Sequence, residues 1–340
     1  MRKYLLPNTG KYYKANLHTH STVSDGHLSP EEIKCAYMEK GYSIVAYTDH
    51  EILVPHTELS DENFLAITGT ELAFNLYPED GGYPYIKTYH LNFYSKEPNK
   101  DVISIWDEDY VVFPNAQKRI TDKQRQIKYK REYGVEAVNK AIAIAKADGF
   151  LVSYNHPVWS LQDYNDYGGL EGLWGIECFN HVSERVGLPD NDRPFNDLLV
   201  QGKTVFPLAT DDAHTRWDCF GGWVMVNAQK LEYGEVMDAL ERGDFYASTA
   251  PEIYELSIEN GIVHIECSPV REIHWSSECR YAYNMCMDKE LLTSVDIDIR
   301  PYLELKHNTK EWRKPFIRFR LIDERGKVAY TRAYSLEELE

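Results

Sequence analysis

The chain has 340 residues, 43% of them hydrophobic, and a formal charge of −17. That length accommodates one large domain, or one large and one small. The acidic balance argues against a duplex nucleic-acid partner, and no apolar run approaches a membrane span or a signal-peptide core, so a cytoplasmic protein without a membrane partner is expected.

The six cysteines form no C-x-x-C pair, and reduced, mostly buried thiols are expected. In chain order, KANLHTH (14–20) reads as a strand. PEEIKCAYMEKG (30–41) carries Pro and acids at its start and Gly at its end, the start and stop signals of a helix. SIVAYTDH, LAITGTELAF and YIKTYHLNFYS are β-like in apolar and β-branched content. Residues 96–134 are polar and mixed in charge and read as an insertion, either over an active-site mouth or out in solvent. VEAVNKAIAIAKADG predicts a helix, followed by FLVSYNHP, GIECFN, a helix in NDRPFNDLLVQGK, and TVFPLATDDAH. This β–α alternation points to a parallel sheet or barrel over residues 1–250. From 251 to 340 the texture is β-rich, with strand pairs around ENG and DERG, and predicts a small sandwich-like domain.

The chemistry gathers at the ends of the β-like runs. His18 and His20 alternate in HTH, so on a strand they share one face about 7 Å apart. Asp25 follows in SDG, Asp49 and His50 end TDH, Glu71 ends GTE, His90 lies in YHLNF, His156 ends YNH, and Asp212 and His214 end DDAH. In a (β/α) barrel such ends converge on one mouth. A lone histidine at a strand end is more often a hydrogen-bonded structural residue than a ligand. Six imidazoles and three carboxylates in this order suit borderline-hard divalent ions instead: His18, His20, Asp25, His50, Glu71, His90, His156, Asp212 and His214. Nine donors exceed the needs of one ion, so two or three ions of Mn, Fe or Zn are expected.

HTHSTVSDG, TDH, GTE, NHP and DDAH, in that order, resemble the metal-binding motifs of the PHP (polymerase and histidinol phosphatase) family across residues 18–214. The resemblance implies a distorted (β/α)7 barrel with a trinuclear site that hydrolyses phosphate esters by a hydroxide bridging two ions. It implies His18, His20, Glu71 and Asp212 on one ion, Asp25, His50 and His214 on a second, and Glu71, His90 and His156 on the third. Asp49 would support these ligands from outside, with a strand-end cap as the equal alternative, and His27 reads as a turn residue or a similar outer support. GGWVMVNAQKLEYGEVMDALERGDFYASTAPEI (221–253) resembles a carbaryl-hydrolase-like branch of the same family, except for Ala250 where that branch has Gly. That branch admits carbamate, ester or amide substrates as the alternative to a small phosphorylated metabolite or nucleotide. A non-catalytic metal-binding module is a third reading, opposed by the complete donor set.

Bound ions would also make the site positive within an acidic protein, and so admit an anionic substrate. His214 or His156 is a candidate for moving the leaving-group proton. Arg216, Arg193 and Arg185 are candidates for holding phosphate, against an ordinary surface role. Trp159 is the candidate for stacking on a planar leaving group, against plain packing. His56 and His181 are expected to be structural, and His264, His274 and His307 to lie away from the site.

Overall fold

The computed structural model describes residues 2–80, 82–286, 290–305 and 314–340. The architecture is mixed α/β. From one edge, a large sheet runs Tyr283–Cys286, Glu272–Ser277, Phe316–Ile322, Val328–Tyr330, Phe245–Ser248, Trp223–Ala228, Lys11–Asn16, Ile44–Tyr47, Leu65–Leu76, Lys87–Ser95, Phe150–Tyr154, Gly175–Asn180 and Phe206–Thr210. Lys11–Asn16, Ile44–Tyr47 and Leu65–Leu76 pair in parallel, as do Phe150–Tyr154, Gly175–Asn180 and Phe206–Thr210. Lys87–Ser95 is antiparallel to both its neighbours.

Two features differ from the expected (β/α)7 barrel. Leu65–Leu76 joins Lys87–Ser95 without an intervening helix, so the βα alternation breaks there. The ladder is also open among the described residues. Past its last strand, the run is tied back to the segment after Lys11–Asn16 by a single bridge, Thr19↔Ala213, and two backbone bonds: His20 N to Ala213 O (2.9 Å) and Asp212 N to His18 O (3.0 Å). These bonds bring the ends of the first and last parallel strands together.

Local sequence explains the helices. Pro30–Met38 starts with a Ser29–Glu32 capping box and Pro in its first turn. Val135–Ala147 buries Val138, Ala141, Ile142 and Ala145 on one face. Arg193–Val200 buries Phe195, Leu198 and Leu199. A further helix, Tyr233–Arg242, ends at Gly243 in the left-handed conformation, where glycine carries no Cβ penalty. Its Val236, Met237, Ala239 and Leu240 repeat at helical spacing, a signal present in EVMDALERG.

The β-rich tail forms a second layer. Lys3–Tyr4, Ile253–Glu259, Ile262–Val270 and Leu292–Asp298 make a four-stranded antiparallel sheet. Asn260-Gly261, both at positive φ (52° and 72°), turn its central hairpin, as ENG predicts. Leu256, Ile258, Val263 and Ile265 from this sheet share one core with Ile273, Trp275, Phe319 and Leu321 from the large sheet. The boundary expected at residue 250 is crossed twice: Lys3–Tyr4 pairs with the tail, and Val328–Tyr330 pairs with Phe245–Ser248. Ala250 sits outside the positive-φ residues, so its methyl group strains nothing. Cys178, Cys219 and Cys267 are buried, while Cys35, Cys279 and Cys286 are exposed; none is in a disulfide. No helix of the described residues is long and apolar enough to cross a membrane.

Candidate metal centre

All nine candidate donors gather where the parallel strands end. Glu71 is the hub. It lies mid-strand in Leu65–Leu76, three residues past the last residue paired to Ile44–Tyr47, so it projects beyond that neighbour's end. Its Oε1 faces His18 Nε2 (3.3 Å), His90 Nδ1 (3.2 Å) and His156 Nε2 (3.2 Å). Its Oε2 faces His20 Nε2 (3.4 Å) and His50 Nδ1 (3.2 Å). Asp212 Oδ1 stands 3.0 Å from His20 Nε2 and 3.2 Å from His18 Nε2.

Three groups emerge, each with donor atoms mutually close enough for one ion: His18–His20–Glu71–Asp212, His20–Asp25–His50–His214, and His50–Glu71–His90. The first group is buried. Five donor separations in it, of 3.0–3.4 Å, match the roughly 3.4 Å between donors sharing a tetrahedral ion at about 2.1 Å. The second is looser, with Asp25 Oδ2 at 3.5 Å from His214 Nε2 and 3.8 Å from His50 Nε2, and more open to solvent. The third has His50 where the resemblance implied His156, although His156 also faces Glu71.

The chemistry of the donors fits cations. Glu71 Oε2, His20 Nδ1 and His90 Nδ1 are buried and make no hydrogen bond among the described residues. Such atoms are costly unless something else satisfies them. His18 Nε2 and His20 Nε2 point at each other across 3.1 Å.

Burial opposes charge on His20, yet the hydrogen bond to Asp212 and the neighbouring Glu71 carboxylate raise its pKa to about 10. Burial likewise opposes charge on His156, which Glu71 raises to about 9. Burial, joined by the neighbouring His20, lowers His50 to about 3, leaving it the neutral imidazole a metal needs. Burial would push Glu71 up, but the charges of His18 and His90 hold it well below the carboxylate range.

Outer partners fix the donors. His18 Nδ1–H donates to Glu177 Oε1 (2.7 Å), which leaves Nε2 as the ligand nitrogen. Glu177 also accepts from His156 N (2.9 Å) and Thr210 Oγ1 (2.6 Å). Asn155 Nδ2 donates to Glu71 Oε1 (2.8 Å), and Asn180 Nδ2 to Glu177 and Asp212. Sequence reasoning missed Glu177, Asn155 and Asn180. The one available signal was Glu177 itself, an acid inside the apolar strand GIECFN. Asp212 and His156 have positive φ (56° and 24°), conformations that non-glycine residues adopt at a cost and that cluster at functional sites.

The remaining candidates divide. Asp49 is buried and accepts from Ser21 N, Ser21 Oγ, Ser24 N and Ser24 Oγ at 2.8–3.1 Å, anchoring the loop that carries Asp25. His27 is exposed, and its backbone N–H donates to His214 O (2.7 Å). Trp159 packs at the rim, 5.5 Å from the His90 ring and 5.1 Å from the His156 ring. His214 donates Nδ1–H to Asp212 O (2.8 Å) and turns Nε2 toward Asp25 Oδ2 (3.5 Å), whereas both nitrogens of buried His156 are engaged, by Ser160 and Glu71.

The arginines make their ion pairs away from the cluster. Arg216 pairs with Glu39 (3.0 Å), Arg185 with Asp218 (2.7 Å) and Arg193 with Asp197 (2.7 Å), all at the exposed surface. A surface carboxylate beside each long side chain supplies the partner that the sequence alone could not assign. His56 is buried against the Tyr47 ring and His181 beside Phe179, both structural placements. His264 and His274 lie in the β-rich layer, and His307 falls outside the described residues.

No protein-family model matches the sequence, and no curated protein does. Among solved structures, the chain is similar to a two-domain protein from Bacteroides vulgatus containing a predicted PHP-like metal-dependent phosphoesterase (16% identity, 98% of each chain covered, TM-score 0.43). It is also similar to an amidohydrolase from Chromobacterium violaceum (14% identity, 59% of this chain and 87% of that one, TM-score 0.34). A third is a lesion-specific endonuclease from Pyrococcus furiosus (13% identity, 68% of this chain and 56% of that one, TM-score 0.36). The functional reading below therefore rests on the donor geometry of this chain.

Proposed function

We propose that the protein is a metal-dependent hydrolase of the PHP kind, acting as a phosphoesterase on a small phosphorylated metabolite or nucleotide. One observation carries the reading: a buried carboxylate, Glu71, with each oxygen turned to a different set of imidazoles. A single carboxylate so placed suits ions held close together, the arrangement used for phosphoryl and acyl hydrolysis.

His18, His20, Glu71 and Asp212 would hold one ion, His20, Asp25, His50 and His214 a second, and Glu71 with His90 and either His50 or His156 a third. Divalent ions bound there would activate water near neutral pH and offset charge on the substrate oxygens. The chain's own residues do the rest. Glu177 holds His18 in one tautomer, Asn155 and Asn180 orient Glu71 and Asp212, and Asp49 fixes the Asp25 loop. His214 would serve the second ion through Nε2, because its Nδ1–H is held by Asp212 O, so it is not free to move a proton at the leaving oxygen.

A specific observation favours a second reading. The three candidate phosphate-binding arginines are each tied to a surface carboxylate, so phosphate recognition would fall to the ions alone. A carbamate, ester or amide substrate does not require those cations.

The deciding experiment pairs elemental analysis with a hydrolysis screen on Mn-, Fe- or Zn-loaded protein. Substrates would be p-nitrophenyl phosphate, a nucleotide panel, naphthyl carbamates and aryl esters. Two or three ions per chain and phosphate release lost in Glu71→Gln support the phosphoesterase. Carbamate or ester cleavage without phosphate release selects the second reading. Less than one ion per chain, with no gain on reconstitution, ends both.

A further inference from the structure

The inner and outer donor groups are held by different parts of the molecule. The inner one is braced from within the sheet, by Glu177 on Gly175–Asn180 and by Asn155. The outer one, His20–Asp25–His50–His214, sits largely on loops, and His20 Nδ1 stands 4.0 Å from Asp25 Oδ1. What braces it from outside is the inserted segment 96–134.

Four contacts show this. The Phe113 ring stacks on His50, centroids 5.4 Å apart and planes 22° from parallel. Asn115 Nδ2 donates to Thr22 O (3.1 Å), in the loop that carries Asp25. Trp106 Nε1–H donates to Glu51 O (2.9 Å), and the Arg131 guanidinium pairs with the Glu51 carboxylate, next in sequence to His50. Both side chains of that pair are nearly inaccessible, and Glu51 adopts a positive φ of 64°. Arg131 also stacks on the Tyr110 ring at 4.0 Å, which ties the segment to itself. Removing one partner of a buried ion pair is strongly destabilising, because it leaves the other charge buried and unpaired. All four contacts fall on an outer donor or within two residues of one.

We propose that the 96–134 segment is the positioning element of the outer ion site, with Phe113 and the Glu51–Arg131 pair setting that site's affinity as Glu177 sets the inner one's. The inference rests on the reading of the cluster as a metal centre. It assigns the insertion a role in ion retention, not in contacting substrate.

Mn(II) binding, titrated against a fluorescent chelator with stoichiometry by elemental analysis, tests it. Phe113→Ala removes the stacked ring without exposing a buried charge. Glu51→Gln/Arg131→Met removes the ion pair without leaving one charge unpaired. Each is expected to weaken the ions that share His50 by about 10- to 100-fold, the usual cost of losing an outer partner, with the ion on His18, His20, Glu71 and Asp212 held as in the parent. Glu177→Gln is expected to weaken a different class. Parent-like binding of every ion in Phe113→Ala, or parallel weakening of all classes, overturns the proposal. Should the double variant fail to fold, Phe113→Ala carries the test. A parent protein that binds less than one ion per chain instead overturns the metal-centre reading itself.

Discussion

Histidine–carboxylate pairs occur at both ends of this molecule, with different consequences. In the β-rich layer, His264 Nδ1 lies 2.7 Å from Asp296, and His274 Nε2 lies 2.8 Å from Glu272. These contacts are as short as any around Glu71. Yet the Asp296 side chain is 70% exposed, and each histidine meets its acids from its own or a neighbouring strand. At the other end, His18 and Glu71 are inaccessible, and donors from six separate runs converge. Proximity of an imidazole to a carboxylate is common surface chemistry. Burial and convergence, with some polar atoms left without a bond, are what distinguish a metal centre.

That contrast can be broken in several ways. If the proposed function holds, Glu71→Gln removes the shared carboxylate and should lower hydrolysis on the order of 1000-fold, since several kcal/mol of charge stabilisation would depend on the ions it would hold. It should also lower the ion count by elemental analysis; an unchanged count would remove Glu71 from the site. Trp275→Ala empties a fully buried position in the second core and should cost about 3–5 kcal/mol in denaturant unfolding. Ions per folded chain should stay constant, and a loss of ions would mean that the two cores do not act separately. Glu177→Gln keeps the shape but weakens the acceptor for His18, so chelator competition should show ion affinity down by about 10- to 100-fold. Parent affinity would mean that the tautomer of His18 is set elsewhere.

The smallest effect belongs to the surface. Asp296 raises the His264 pKa above its ordinary 6.5. A group whose folded pKa is raised stabilises the fold fully below its unfolded value and loses that contribution as pH rises through the folded one. His264→Ala should therefore reduce stability below about pH 6.5 and have no effect well above it, by less than about 1 kcal/mol because the pair is solvent-screened. Ion content should not change. A pH-independent loss, read from melting curves at pH 5 and pH 9, would mean that packing and not charge is at work.

The spacing of residues carried much of this into view before any fold was known. HTH, TDH, GTE, NHP and DDAH place donors at the ends of β-like runs, and strands that run the same way must gather those ends on one side. Ser29-Pro30 and Glu32 wrote the first helix start into the sequence, and Asn260-Gly261 wrote the hairpin turn. These are local effects, set by backbone preference within a few residues.

Contacts between distant segments had no such signal. Glu177 reaches His18 from 159 positions away, and Arg131 reaches Glu51 from 80. Arg185, Arg193 and Arg216 stand near donors in sequence but turn to surface acids in space. The open ladder and the antiparallel Lys87–Ser95 depend on which strand edges meet. The sequence by itself determined which side chains were available to bind ions and which local elements carry them. Only the tertiary structure decided their outer partners, because a long side chain takes whichever partner the packed chain brings within about 3 Å, and that choice depends on all the other contacts at once.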